Sequence, residues 1–202
     1  MVPRLALAAA FVLARLASAP AATAFEPRVG QKASFTCIGN QHEIEYTVSS
    51  VDNGIVRYQI TLDGIHRNLK MPAWFLGTSL YLDHSGEKWP SGQMTAGLEA
   101  FDGLKTPKAG LVLHGMVTET VTGHGPASWN FDIKIVDERQ IDDKVLGKVE
   151  VYVIEETRTG SGASSQRTSF ISPAHAEVVY WKYSDSAGRF RECHITSLTG
   201  AS

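Results

Sequence analysis

Cysteine occurs only twice in this chain, and the two positions lie near its opposite ends. Cys37 falls in the first strand-like run, Ala33-Ser-Phe-Thr-Cys-Ile38, and Cys193 in the last, Arg189-Phe-Arg-Glu-Cys-His-Ile-Thr-Ser197. Two cysteines in an exported protein most often pair. A bond here ties the first strand to the last and favours a sheet whose edges meet or curl toward each other. In the chain-entropy description it restricts nearly the whole unfolded chain, a contribution on the order of 4–5 kcal/mol. The alternative is two unrelated buried thiols. Redox catalysis is not indicated, because no CxxC pair is present.

The export on which this pairing depends is read from the start of the chain. Arg4 is followed by an apolar run from Leu5 to Leu16 broken only by Arg15, and Ala17-Ser-Ala19 or Ala22-Thr-Ala24 offers a small-x-small cleavage pattern. Residues 1–24 are expected to be a signal peptide, and residues 25–202 a single β domain. The apolar run falls short of the ~20 residues that span a bilayer, so an uncleaved anchor is the weaker reading. The formal charge of −2 becomes −4 once Arg4 and Arg15 leave with the leader. With no run of Lys or Arg, a nucleic-acid partner is not expected, since phosphate backbones are held by clustered positive charge.

Alternation of apolar and polar residues sets the fold class. Glu43 to Asp52 and Ile55 to Leu62 are β-rich runs joined through Asn53-Gly54, the residue pair that best tolerates positive φ at both turn positions. Ser128 to Asp137 sets Trp129, Phe131, Ile133 and Ile135 against Asn130, Asp132 and Lys134, the pattern of a half-buried antiparallel strand. Leu111 to Val121, Val149 to Arg158, Gln166 to Ile171 and a terminal hairpin beginning Glu177-Val-Val-Tyr-Trp-Lys-Tyr-Ser184 continue the series. The hairpin places Val179 and Trp181 on one face. Between Asp63 and Gly110 the pattern loosens, leaving a short strand at Leu80-Tyr-Leu82 and one short helix within Gly92 to Gly103, where Met94, Leu98 and Phe101 have helical spacing. The expected fold is all-β and mainly antiparallel, with about eight to ten strands in a single curved sheet, half-barrel or barrel, and one short helix in a loop-rich insertion.

Catalytic motifs are scarce. None of the seven histidines has i, i+4 spacing to another, no HExxH or Cys/His cluster occurs, and no Gly-x-Ser-x-Gly elbow is present. No cofactor, metal site or catalytic residue is assigned. Asp142-Asp143 and Glu155-Glu156 are sequence neighbours that face opposite sides of a strand, and they read as solvated turn and edge charge. The aromatic residues remain. Trp74, Trp89, Phe101, Trp129, Phe131, Val179 and Trp181 are the candidate ligand-binding residues, lining a concave apolar pocket roofed by the Met71 to Leu104 block; the alternative is that they fill the core.

The last hundred residues carry a resemblance. Gly103-Leu-Lys-Thr-Pro-Lys-Ala-Gly110, the aromatic alternating strand, the Val149 to Arg158 strand and the Tyr-Trp-x-Tyr hairpin resemble a secreted bacterial family labelled TapB-like. Where that family has a Pro-Ala-Gly-Thr-Phe-like turn, this chain reads Asp142-Asp-Lys-Val-Leu-Gly-Lys-Val-Glu150, without the proline. The resemblance implies an envelope protein with a curved sheet like that of the periplasmic carriers of the LolA and LolB type.

The sequence therefore points to a non-catalytic periplasmic or secreted protein that binds a lipid-like or other apolar ligand, or an envelope protein partner, on a concave sheet. A structural or assembly protein is one alternative, and a hydrolase or isomerase using His114, His175 or an acid is another. No transmembrane span is expected after leader removal. N-terminal sequencing of protein recovered from the medium or periplasm is expected to begin at Phe25; a start at Met1 would overturn the leader.

Overall fold

The computed structural model describes residues 25–39, 43–160 and 162–200, with the Trp89 side chain excepted. The leader assigned to residues 1–24 lies outside the described residues. Where alternation was clearest the chain forms the expected strands: β1 (Lys32–Ile38), β2 (Glu43–Asp52) and β3 (Ile55–Leu62) at the start. In the second half come β7 (Val112–Val121), β8 (Ala127–Asp143), β9 (Gly147–Gly160), β10 (Ala163–Ser172), β11 (Glu177–Asp185) and β12 (Phe190–Thr199). Three further strands occupy the stretch expected to be loop-rich: β4 (Ile65–Pro72), β5 (Asp83–Gly86) and β6 (Trp89–Ala96).

Each strand pairs antiparallel with its neighbours in sequence, and β1 also pairs with β12, so twelve strands close into an up-and-down barrel among the described residues. The closure settles the choice between half-barrel and barrel. At the seam Phe35 stands opposite Ile195, and Cys37 stands opposite Cys193, to which it is disulfide-bonded. Both cysteines are buried in the core. The β2–β3 turn has Asn53 at φ 49° and Gly54 at φ 75°, as the Asn-Gly pair dictates. Asp63-Gly64 makes the β3–β4 turn by the same chemistry, at φ 51° and 74°.

Strand parity divides the wall into a filled inside and a wet outside. Along β8, Phe131, Ile133 and Ile135 are buried, while Asn130, Asp132 and Lys134 between them are exposed. On the outer surface Asp132 lies between His114 and Thr157, and Lys134 between Val112 and Glu155. A barrel wall embedded in lipid carries an apolar outer band, so this part of the wall faces water. Among the described residues no helix is long and apolar enough to cross a membrane.

Two insertions fill the lumen. The β4–β5 connection from Ala73 to Leu80 is almost wholly buried and crosses the barrel interior. A Cβ on Gly77 would lie 2.1 Å from Ile171 Cδ1, and the Ser79 N–H donates to Glu156 Oε2 at 2.7 Å, so this plug reaches β9 and β10 on the opposite wall. The second insertion is a 3₁₀ helix, Leu98–Lys105, whose Phe101 packs edge-on against Phe131 with ring centroids 5.9 Å apart. Gly115 accommodates it, since a Cβ there would meet the Phe101 ring at 2.7 Å.

These insertions correct the sequence reading at four points. Of the strand expected at Leu80 to Leu82, Leu80 belongs to the plug and Leu82 leads into β5, bonding to Lys70 of β4 and Met94 of β6; the true strands β4 to β6 are hard to read because polar residues and Gly86, Pro90 and Gly92 interrupt their alternation. Twelve strands stand where eight to ten were expected. Met94 belongs to β6, and the helix begins only after Gly97, whose φ of 86° and close approach to the Met116 carbonyl leave no room for a side chain. Glu156 is not edge charge: it is 3% exposed, inside the barrel, while Glu155 faces out.

The disulfide closes a separation of 156 residues. Replacing both cysteines, Cys37→Ala with Cys193→Ala, is expected to lower the unfolding free energy by on the order of 4–5 kcal/mol in urea titration. A loss below about 1 kcal/mol would show that strand pairing alone holds the seam.

Candidate functional site

In an up-and-down barrel the turns alternate between its two ends. The end formed by the β3–β4, β5–β6, β7–β8, β9–β10 and β11–β12 turns opens into a cavity of about 390 Å³. Thr78 to Leu80 of the plug, and Tyr81 just after it, form part of its lining, and Ile44, Ile60, Leu62, Leu69 and Met71 from β2 to β4 give it an apolar wall. On other strands the inward row changes character toward this mouth. Ile171, Ser169 and Arg167 succeed one another at period two along β10, as do Ile154, Glu156 and Arg158 along β9, and Ile195, Cys193 and Arg191 along β12. Met71, Leu69 and Arg67 repeat the pattern on β4. Four of the ten arginines of the chain thus line one cavity, and none of its nine lysines does.

The arginines are held in different ways. Arg158 Nη2 donates to Glu119 Oε2 at 2.8 Å, and its guanidinium carbon lies 3.8 Å from the centre of the Trp129 ring. Arg167 Nε donates to Ser169 Oγ at 2.9 Å while its guanidinium lies 5.1 Å from the Trp181 ring centre. Burial lowers the Arg67 pKa, and the positive charge of Arg191 lowers it further, which places those two cations within each other's field. Glu119 is the anionic node. Tyr81 Oη donates to it, and His84 Nε2 lies 3.9 Å from its Oε1. Hydrogen bonding from His84 and then Tyr81, together with the Arg158 charge, holds Glu119 at about 2 against the opposing effect of burial. Burial raises Glu156, offset in part by Arg167 and the Ser79 N–H. The lining thus holds four guanidinium groups and one carboxylate, Glu119, with Glu156 in the field of Arg167 and Asp63 in that of Arg67, which leaves the mouth positive in a chain whose formal charge is −2.

The seven residues assigned from sequence are not brought together. Trp181 lines the cavity, and its indole Nε1 is buried with no hydrogen-bond partner among the described residues. Phe101, Phe131 and Val179 are packed in the core. Trp129 is half-buried beneath Arg158. Trp74 lies at the other end of the barrel, beside an apolar pocket of about 420 Å³ shared with Phe25, Leu104, Tyr152 and Ile171. Trp89 opens β6, and its side chain lies outside what is described. His114 pairs with Asp132 on the outer surface, and His175 gives its backbone carbonyl to Gln31, so neither enters the mouth. The histidine that does is His84, opposite Gly92, where a Cβ would meet its ring at 2.4 Å. Among the described residues no group of three or more His, Cys, Asp or Glu is placed to hold a metal.

The four arginines are not clustered along the chain, so no run of basic residues points to them. The available signal was parity. Arg191 shares a face with Cys193 and Ile195, and Arg167 with Ile171, so each points where the core points.

Fold and cavity together define a closed twelve-stranded antiparallel barrel, plugged from within, with a cationic mouth. No protein-family model matches the chain, the TapB-like resemblance included, and no curated protein matches it in sequence. Among solved structures, it is similar to the crystal structure of the hypothetical lipoprotein YmcC from Escherichia coli (K12). The two share 13% identity and a TM-score of 0.51, over 83% of this chain and 87% of that one, a likeness of fold.

Below the cavity Glu177 is fully buried, hydrogen-bonded by the Val178 N–H at 3.0 Å and weakly by Gln31 Nε2 at 3.4 Å. Burial pushes its pKa up to about 7. The folded state then keeps a proton that the unfolded chain releases between about pH 4.5 and 7, so stability declines as pH rises through that window. Glu177→Gln is expected to be near neutral at pH 4.5 and to raise the unfolding free energy from urea titration relative to wild type at pH 8, by at most about 3 kcal/mol. An equal shift at both pH values would show that Glu177 does not titrate in this window.

Proposed function

We propose that this chain is an exported, non-catalytic envelope protein, periplasmic or secreted, that holds a small ligand in the mouth of its barrel. The observation carrying the reading is the contrast inside the lumen. Its interior is packed with apolar side chains and crossed by a plug, yet a cavity of about 390 Å³ lies among the side chains at one end. That volume falls within the range of about 300–1,000 Å³ that ligand pockets occupy. Export is supported by the leader pattern and the Cys37–Cys193 bond, which persists in oxidising compartments. An envelope location is further supported by the shared fold with a protein described as a lipoprotein.

A second reading has one observation in its favour. His84 stands beside Glu119 within the cavity, the arrangement a hydrolase or isomerase in this site would need. Glu119, held at about 2, stays ionised at neutral pH and so orients His84 instead of taking up a proton itself. The base would be His84, not His114 or His175.

The test is native mass spectrometry of protein purified from a periplasm, followed by denaturing extraction. A discrete small-molecule adduct is expected on the wild type and is expected to be lost from Leu62→Trp, which narrows the cavity from its apolar wall. A bare wild-type mass, or an adduct that survives in Leu62→Trp, would overturn binding in the mouth.

A further inference from the structure

We infer that the mouth takes an anionic amphiphile: an oxyanion head group of the phosphate type held by Arg67, Arg167 and Arg191, with a short apolar chain on Ile44, Ile60, Leu62 and Leu69. The inference rests on the binding reading given above and adds the chemistry of the ligand.

Three observations carry it. First, inward rows on strands of opposite walls end in arginine at the same level of the lumen, β4 on one side and β9, β10 and β12 on the other. Cations brought together in a partly desolvated space raise the free energy of the folded state. Such a cost is recovered when an anion binds between them. Second, all of them are arginine. A planar guanidinium presents paired N–H groups that match the oxygens of a phosphate or carboxylate, whereas lysine offers a point charge. Third, the acids inside the barrel are already engaged. Glu119 receives Arg158 and Tyr81, Glu156 accepts the Ser79 N–H and lies in the field of Arg167, and Asp63 lies in the field of Arg67, so four cations share the mouth with three acids. Trp181, 7% exposed and lining the same cavity, adds an indole N–H with no partner among the described residues.

Size and lining set the rest of the ligand. The opposite wall offers branched aliphatic side chains and no charge other than Arg67. A volume of about 390 Å³ is at the small end of the range for ligand pockets, which suits one short chain with its head group and not a diacyl lipid.

The test uses mature protein and three probes in titration calorimetry: octyl phosphate, octanol and inorganic phosphate. Octyl phosphate is expected to bind at least about tenfold tighter than either of the others, and more weakly as salt is raised. Arg167→Gln and Arg191→Gln are each expected to cost roughly tenfold or more in its affinity, with the lysine variants falling between. Arg57→Gln, on the outer face of β3, is expected to leave affinity unchanged, and thermal melts of all variants verify folding. Octanol binding as tightly as octyl phosphate would overturn the anionic head group while leaving the binding reading intact. Inorganic phosphate binding as tightly as octyl phosphate would overturn the amphiphile in favour of a free oxyanion. Binding of none of the three would overturn this inference, while an adduct in the native spectrum would still uphold the binding reading.

Discussion

Pairing of β1 with β12 is the interaction on which the rest depends. An open twelve-stranded meander has two unpaired edges and no defined inside. Closing it satisfies both edges at once and turns strand parity into a distinction between lumen and solvent. The bond between Cys37 and Cys193 sits in that seam and on the inner side of it, so the covalent link and the hydrogen-bonded ladder reinforce one closure. Every later feature, including which arginines face one another, follows from the ring being complete.

Closure also creates a volume that must be filled. Twelve strands enclose more space than their own side chains pack densely, and the chain meets this with the Ala73 to Leu80 plug and the Leu98–Lys105 helix. Three glycines show how close the fit is. Gly77 passes under Ile171, Gly115 under Phe101, and Gly92 beside the His84 ring. Small residues inside a sheet or plug here mark where another element arrives, which is why they weakened the strand signal in the very segments they serve. The plug also fixes polar groups: by delivering the Ser79 N–H to Glu156 it allows a carboxyl group to remain inside the barrel beneath Arg158 and Arg167.

Much of the wall could be read from the residues alone. Alternation in Ser128 to Asp137, the Asn53-Gly54 turn and the two distant cysteines together imply a curved antiparallel sheet with its ends joined. Strands β4 to β6 could not be read this way, since His66-Arg67-Asn68 and Ser91-Gly92-Gln93 have no apolar alternation, and their inward positions are defined only by what lies across the lumen. The residues that line the cavity are harder still to read. Aromatic side chains are the expected lining of an apolar pocket, yet Phe101 and Phe131 face each other in the core. Arg67, Arg158, Arg167 and Arg191 are spread over more than half the chain and become neighbours only through strand order. Charge clustering of this kind is a property of register, and composition averages it away.

That averaging bears on how an anion could enter an acidic protein. Charges on the outer wall, such as Asp132 and Glu155, face water, and at physiological ionic strength their fields decay over about 8 Å. Inside the mouth the guanidinium groups are partly desolvated, and their field is screened far less. A small anion outside the barrel therefore meets a weak and mostly averaged potential from the exterior, then a strong local one once it reaches the turns. Net charge governs solubility and long-range encounter, whereas the four inward arginines set the local field inside the mouth. The two can carry opposite signs without conflict, because the closed wall that separates them is itself the low-dielectric layer.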